Sequence, residues 1–200
     1  MHIKTANNDY PIIDLLRDRW SPRAFNGRPV ENDKLQSIFE AARWTASSSN
    51  LQPWFFIVGL KGDETYEMIK KTLVDFNLLW APTAPVLFLS IAKTTDSKDR
   101  PNSSASYDLG QAIASLTIQA SALGLFVHQM GGFDAAEAGR LFEVPSEYRV
   151  VTAAALGYPG NPEILHENLK KMEISARERR AVSDSVFTGK FGQPSDIFNQ

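Results

Sequence analysis

Tyr107-Asp108-Leu109-Gly110-Gln111-Ala112-Ile113-Ala114-Ser115-Leu116-Thr117-Ile118-Gln119-Ala120-Ser121-Ala122-Leu123-Gly124 is a long, mostly apolar segment in the second half of the chain. Its spacing predicts a helix, and Leu109, Ala112, Ile113, Ala114, Leu116, Ile118, Ala120 and Leu123 leave it almost no polar face. A helix that is apolar nearly all round must be buried nearly all round. In a chain of 200 residues, that makes it a central helix, a subunit interface, or both.

Apolar runs flank this helix on both sides. Pro85 opens a strand over 86–91, and the polar segment 93–104 leads from it into the helix. Strands are expected at 126–130 and 150–156, with a helix at 134–142 between them. Upstream, Trp54-Phe55-Phe56-Ile57-Val58 follows Pro53 and reads as a buried strand; an amphipathic helix from about Asp63 to Phe76 comes next. Pro11 suits the first position of a helix carrying Ile12, Ile13, Leu15 and Leu16, which Pro22 stops before Ser21. Asn32 or Asp33 caps a second helix bearing Leu35, Ile38, Phe39 and Ala42, ending in Ser47-Ser48-Ser49-Asn50. Helices and strands interleave, so the class is α/β or α+β. The tail 187–200 has no period and is either disordered or wrapped around a partner subunit.

Bulk properties narrow the function. Hydrophobic residues make up 43% and no composition break marks a boundary, so one domain over 1–200, with a C-terminal extension from about 187, is expected. A net charge of −2 gives no long-range pull toward nucleic acid or an anionic membrane. There is no cysteine, hence no disulfide and no thiol nucleophile. Neither a secretory signal nor an apolar run near the ~20 residues of a membrane span appears, and the chain reads as cytoplasmic. His2, His128 and His166 are scattered, which argues against a metal site; Gly-rich phosphate loops and Gly-x-Ser-x-Gly are absent.

What remains is polar clusters. In Arg19-Trp20-Ser21-Pro22-Arg23, Pro22 holds the chain extended, so Arg19, Ser21 and Arg23 project to one side, suited to a single anion. Taken singly, these are two solvated arginines beside a turn. Ser47, Ser48, Asn50 and Gln52 supply neutral donors and acceptors for a ligand with carbonyls and ring nitrogens, or simply a helix exit; Gln52 is read as entering the core side of a strand. Gly131 and Gly132, after His128-Gln129-Met130, permit backbone to approach a flat ligand, or make a tight turn. His128 reads as a hydrogen-bonded core histidine, and Arg177-Glu178-Arg179-Arg180 as a solvated helix face.

The order of these clusters carries a resemblance. Arg19-x-Ser21-x-Arg23-x-Phe25, then Ala41-Ala42-Arg43-Trp44 leading to Ser47-Ser48-x-Asn50-Leu51-Gln52-Pro53-Trp54, resemble the N-terminal signature of the nitroreductase family. Ala84-Pro85, Leu123-Gly124-Leu125, Gly132-Phe133-Asp134 and Leu156-Gly157-Tyr158-Pro159 look like its later landmarks, so the similarity runs from about Leu15 to Phe187.

The resemblance implies an α+β fold with a central mixed sheet flanked by helices, an intertwined homodimer, and two FMN molecules at the subunit interface. By position, Arg19, Ser21 and Arg23 would bind flavin phosphate and ring edge, while Ser47, Ser48 and Asn50 would come from the other subunit with Gln52 nearby. Gln129, Met130, Gly131 and Gly132 occupy the place where backbone amides approach the flavin, and Arg179 and Arg180 would complete the phosphate site. The implied reaction passes two electrons from NAD(P)H to a nitroaromatic, a quinone or a similar small acceptor by a ping-pong hydride mechanism, with no side chain acting as nucleophile or essential base. Alternatives are a reductive dehalogenase or flavin-fragmenting relative, a flavin sensor or storage protein, and an unliganded dimeric scaffold. Thr45-Ala46 stands where the family usually has Ala-Pro, and Ala181 replaces a frequent Pro.

Overall fold

The computed structural model describes residues 4–198; His2 and the last two residues of the tail lie outside that range. Apolar side chains alternate along the second strand of the chain, and that alternation builds two cores. Leu87, Leu89 and Ile91 enter one, whereas Val86, Phe88 and Ala92 enter the other. The same division recurs at Ala153 and Ala155 against Ala154 and Leu156. A strand buried on both faces must be covered on both.

The elements are α1 (Asp14–Asp18), α2 (Asn32–Arg43), β1 (Trp54–Leu60), α3 (Glu64–Lys71), α4 (Asp75–Leu78), β2 (Val86–Lys93), α5 (Ala105–Ala122), β3 (Phe126–Met130), α6 (Ala135–Leu141), β4 (Tyr148–Gly157) and α7 (Glu167–Ile174). One core is closed by α3, α6 and α7 through Ile69, Ala138 and Leu169, the other by α2 and α5 through Ile38, Ala42, Ala112 and Leu116. Each large aliphatic side chain so enclosed contributes roughly 1.5–3 kcal/mol relative to exposure.

Sheet order is β1-β2-β4-β3. The chain is α+β with helices on both faces, but the mixed sheet expected from the resemblance is antiparallel at every pairing among the described residues. The reason lies in β4. Strands β2 and β3 run the same way and are joined through α5, yet β4 inserts between them in the opposite sense.

Several expectations change in detail. β1 is an edge strand rather than a buried one: β2 covers one side of it, and Phe55 stays exposed. The helix expected to reach Phe76 breaks after Lys71, where Leu73 bridges Phe133, and resumes as α4. In α1 the helix begins at Asp14, and Ile12, Ile13 and Leu16 are exposed. The segment 177–180 is not helical; the last helix, unforeseen, is α7. α5 keeps an exposed stripe of Tyr107, Gly110, Ala114 and Ala122, so within one chain it is not enclosed all round. In the tail, Phe187 bridges Pro194 and Thr188 Oγ1 donates to Ser195 Oγ at 2.8 Å, so the described part has local order. No described helix is long and apolar enough to cross a membrane.

Glycine is demanded where α3 packs on β1. A Cβ on Gly59 would stand 2.4 Å from the Tyr66 backbone nitrogen, so α3 rests on β1 backbone to backbone. Asp63 starts that helix by accepting from Tyr66 N–H at 2.6 Å.

Candidate functional site

At Arg19 the chain leaves α1 extended, with φ −67° and ψ 130°. From there Trp20 and Pro22 are buried while Arg19, Ser21 and Arg23 are half-buried, so an extended backbone sorts apolar and polar side chains to opposite sides. Two contacts clamp this loop. Trp20 packs edge-on against Phe126 on β3 at 6.2 Å, and the Pro22 carbonyl lies 2.8 Å from His128 Nδ1. From α7, Glu173 reaches in with only 1% of its surface exposed. Its carboxylate accepts Arg23 N–H at 2.9 and 3.0 Å through its two oxygens and Ala24 N–H at 3.0 Å.

Cations converge here. Arg177 donates through Nη1 to the carbonyls of Lys4 (2.9 Å) and Arg17 (2.8 Å), fastening the C-terminal segment beside α1. Burial destabilises the Arg19 guanidinium, and the like charges of Arg177 and Arg179 add to that, so its pKa falls below the usual arginine value. Arg23 is lowered mainly by burial, with Glu173 acting the other way. Its Nε is buried with no hydrogen-bond partner. Arg179 spends one contact on the Glu178 carbonyl at 2.7 Å. Arg179 and Arg180 are both exposed and, with Arg177, Asn7, Asp9 and Tyr10, line an open cavity of about 630 Å³. Half-buried like charges raise the energy of the free protein, and a bound anion relieves them.

The glycine turn follows β3. Gln129 is exposed, but the Met130 side chain is 3% exposed and packed in the core, so only its backbone is available there. The two glycines differ. Space is open where a Cβ of Gly131 would stand, whereas one on Gly132 would meet Asn77 Nδ2 at 2.8 Å and Val74 Cγ2 at 3.0 Å. Gly131 alone therefore presents a bare α-carbon to the outside; at Gly132 the side chain of Asn77 takes that space. The Gly132 carbonyl accepts from Asn77 Nδ2 at 2.8 Å and from Val74 N–H at 3.2 Å.

The Ser47–Gln52 cluster is strained. Ser49, Asn50 and Gln52 have φ of 49°, 54° and 48°, a left-handed conformation uncommon outside glycine, and Gln52 holds it against the extended preference of a residue preceding proline. Such residues cost of order 1–3 kcal/mol each and cluster at functional sites. Local bonds maintain the shape: Asp108, 2% exposed on α5, accepts Ser48 N–H at 3.1 Å; Ser47 Oγ accepts Gln52 N–H at 3.0 Å; Gln52 Nε2 donates to the Asn50 carbonyl at 3.1 Å. Gln52 is exposed rather than turned into the core, as are Ser48 and Asn50.

Within one chain the two clusters stay apart. Arg19, Ser21, Arg23 and Arg179 gather beside β3, whereas Ser47–Gln52 precede Trp54 on β1, at the opposite edge of the sheet and near the other ends of the strands. Three strand spacings and five or six residues of strand rise separate them, on the order of 20 Å. Glu173, Asp108 and Asn77 have no signal in the sequence, and Arg177, which the sequence places in a solvated run, is instead bonded to backbone carbonyls. The buried acids have no local signature.

The α+β sheet that carries these half-buried arginines beside a glycine turn is shared with known proteins. The Nitroreductase family model matches residues 16–78 and 66–158. A solved oxidoreductase containing FMN superposes with a TM-score of 0.90 at 32% identity, covering 96% of this chain and 99% of that one. A protein of Mycolicibacterium smegmatis, named "Uncharacterized 15.4 kDa protein in ask 5'region", is 35% identical over 147 residues, which is 70% of this chain and 98% of that protein. An FMN-dependent nitroreductase from Clostridium difficile R20291 shares the fold, with a TM-score of 0.66 at 23% identity over 90% of this chain and 100% of that one. This chain belongs to the nitroreductase family.

Proposed function

We propose that this protein is a cytoplasmic, homodimeric FMN-dependent oxidoreductase that takes electrons from NAD(P)H and delivers them to a small oxidised acceptor such as a nitroaromatic or a quinone. One observation carries the reading: half-buried Arg19 is destabilised by burial and by the like charges of Arg177 and Arg179, and in the same loop the buried Nε of Arg23 has no partner. A dianionic phosphate fits that need. Arg19, Ser21, Arg23 and Arg179 hold the phosphate and ring edge, and Arg180 adds its charge beside them. Charge-assisted bonds contribute roughly 1.5–3 kcal/mol each, so three of them supply a large share of the ~8 kcal/mol of micromolar affinity.

Bound FMN supplies the two-electron chemistry. The chain's residues orient it: the backbone from Gln129 and Met130 through Gly131 and Gly132 offers amides to the ring, with Gly131 giving the open approach. Ser47, Ser48, Asn50 and Gln52 reach the same ligand from a second copy, because about 20 Å separates them from the arginines of their own chain. The small-residue stripe of α5 supports that second copy, since Gly110, Ala114 and Ala122 allow close helix approach and Tyr107 stands 71% exposed beside them. Donor and acceptor occupy one site in turn.

Purified protein titrated with FMN develops a bound-flavin spectrum that NADH or NADPH bleaches and a quinone or nitroaromatic restores. Arg19→Ala and Arg23→Ala each weaken FMN binding about tenfold or more, a loss of ~1.4 kcal/mol. Failure to take up FMN, or unchanged affinity in both variants, overturns the proposal.

A further inference from the structure

A continuous line of side-chain contacts joins the cationic loop to the glycine turn. At one end the Pro22 carbonyl lies 2.8 Å from His128 Nδ1. A carbonyl only accepts, so Nδ1 carries the proton. The His128 ring stacks on Trp80, centroids 4.3 Å apart and planes 32° from parallel. Trp80 is wholly buried, and its Nε1–H donates to Asn77 Oδ1 at 3.2 Å. Asn77, 7% exposed, then donates from Nδ2 to the Gly132 carbonyl at 2.8 Å. Burial lowers the His128 pKa to about 4, which keeps the ring uncharged and the stack undisturbed at neutral pH.

Each member has a shape its role requires. Glycine backbone is otherwise the freest in the chain, and two donors on one carbonyl remove that freedom at Gly132. Asparagine presents a donor and an acceptor on one short planar group, so it bonds Trp80 and Gly132 at once. A Cβ at Gly132 would collide with that amide, which ties the glycine to the asparagine. The function proposed above uses none of these three side chains directly.

We propose that Asn77, Trp80 and His128 are positioning residues that hold the Gly131–Gly132 turn at a fixed offset from the Arg19–Arg23 loop, and that Asn77 thereby sets the reduction potential of the bound flavin. The inference rests on the flavin reading of the same site. The pinned carbonyl fixes the Gly132–Phe133 peptide plane, and the N–H of Phe133 in that plane donates to the Gly131 carbonyl at 3.1 Å; that bond holds the Gly131–Gly132 peptide, so the N–H of Gly132 keeps a constant direction. A donor held toward a ring edge that gains negative charge on reduction stabilises the reduced form more than the oxidised form. Releasing the turn weakens that preference and leaves the phosphate contacts intact.

Apoprotein and Asn77→Ala are compared by FMN fluorescence quenching, for affinity of the oxidised cofactor, and by dye-equilibrated spectroscopic titration, for midpoint potential. Expected are a dissociation constant for oxidised FMN changed less than threefold and at least a tenfold loss in the preference for reduced FMN, which lowers a two-electron potential by ~30 mV or more. A merely structural role lowers thermal stability and weakens both redox forms alike, leaving the potential unmoved; that result overturns the proposal. Trp80→Phe keeps the stack and removes the Nε1–H that holds Asn77, and a threefold loss of the same sign is expected. Should Asn77→Ala not fold, an unmoved potential in Trp80→Phe overturns the proposal by itself. Wild-type protein that takes up no FMN sinks the flavin reading, whereas wild-type binding with unmoved potentials in both variants sinks only the positioning role.

Discussion

Replacing Glu173 with glutamine tests whether the cationic loop is held by a buried carboxylate. The side chain is 1% exposed and meets two backbone N–H groups, those of Arg23 and Ala24, at 2.9 to 3.0 Å. Hydrogen bonds to a charged acceptor contribute about 1.5–3 kcal/mol, against about 0.5–1.5 kcal/mol for neutral partners. In the Glu173→Gln variant one oxygen still accepts, but the other position becomes an NH2 facing a donor, and the charge that offsets burial of Arg23 is gone. The expected loss is about 2–3 kcal/mol of folding stability. For a chain of this length that is roughly 5–10 °C in Tm. Urea unfolding followed by fluorescence of the four tryptophans reads it, as a lower midpoint at constant slope. The exposed Glu167 on the same helix, paired with Lys171 at 2.8 Å, is the control. A Glu173→Gln loss below about 0.5 kcal/mol, the level of ordinary surface changes, or one no greater than that of Glu167→Gln, refutes the reasoning.

Other expectations follow from the same geometry. His128, lowered from 6.5 to about 4 by burial, folds in its neutral form, so the unfolded chain binds the extra proton. Its contribution is therefore complete above pH 6.5 and shrinks as pH falls toward 4, by up to about 3 kcal/mol. Glu31, Glu40 and Asp96, held near 2 by hydrogen bonds and ion pairs, lose theirs only below about 4.5, so urea melts between pH 4.5 and 6.5 isolate the histidine, and His128→Phe flattens the slope. Gly59→Ala sets a methyl against the Tyr66 backbone, which cannot retreat as a flexible side chain does; a loss above about 3 kcal/mol is expected, and a Tm within 2 °C of the parent counts against the packing described.

Local patterns predicted local structure well. The strand at 126–130 and the long helix near 107–124 came from periodicity, and the alternation of Arg19, Ser21 and Arg23 came from the restraint Pro22 places on its neighbour. Pairing was harder to read. Phe55, Phe56 and Ile57 look like a doubly covered strand because apolar letters do not say which neighbour arrives, and the insertion of β4 between β2 and β3 is decided some 60 residues away. The candidate site divided the same way. Arginines and glycines announce themselves by type and spacing, while Glu173 and Asp108 are single acids on helices, identical in one dimension to solvated ones. Arg177 through Arg180 lost their expected helix because α7 ends at Ile174 and Arg177 bonds backbone carbonyls of the N-terminal segment instead.

The left-handed residues at 49, 50 and 52 have a consequence for how this surface meets a ligand. Asp108 and Ser47 hold the backbone of this turn and Gln52 Nε2 is tied to the Asn50 carbonyl, so the turn's shape is set when the chain folds. Ordering a free loop costs about 0.5–1.5 kcal/mol for each immobilised side chain at the moment of association, and a turn already locked avoids most of that. Under the function proposed, strain accepted once, when the chain folds, leaves less to be ordered each time the flavin binds.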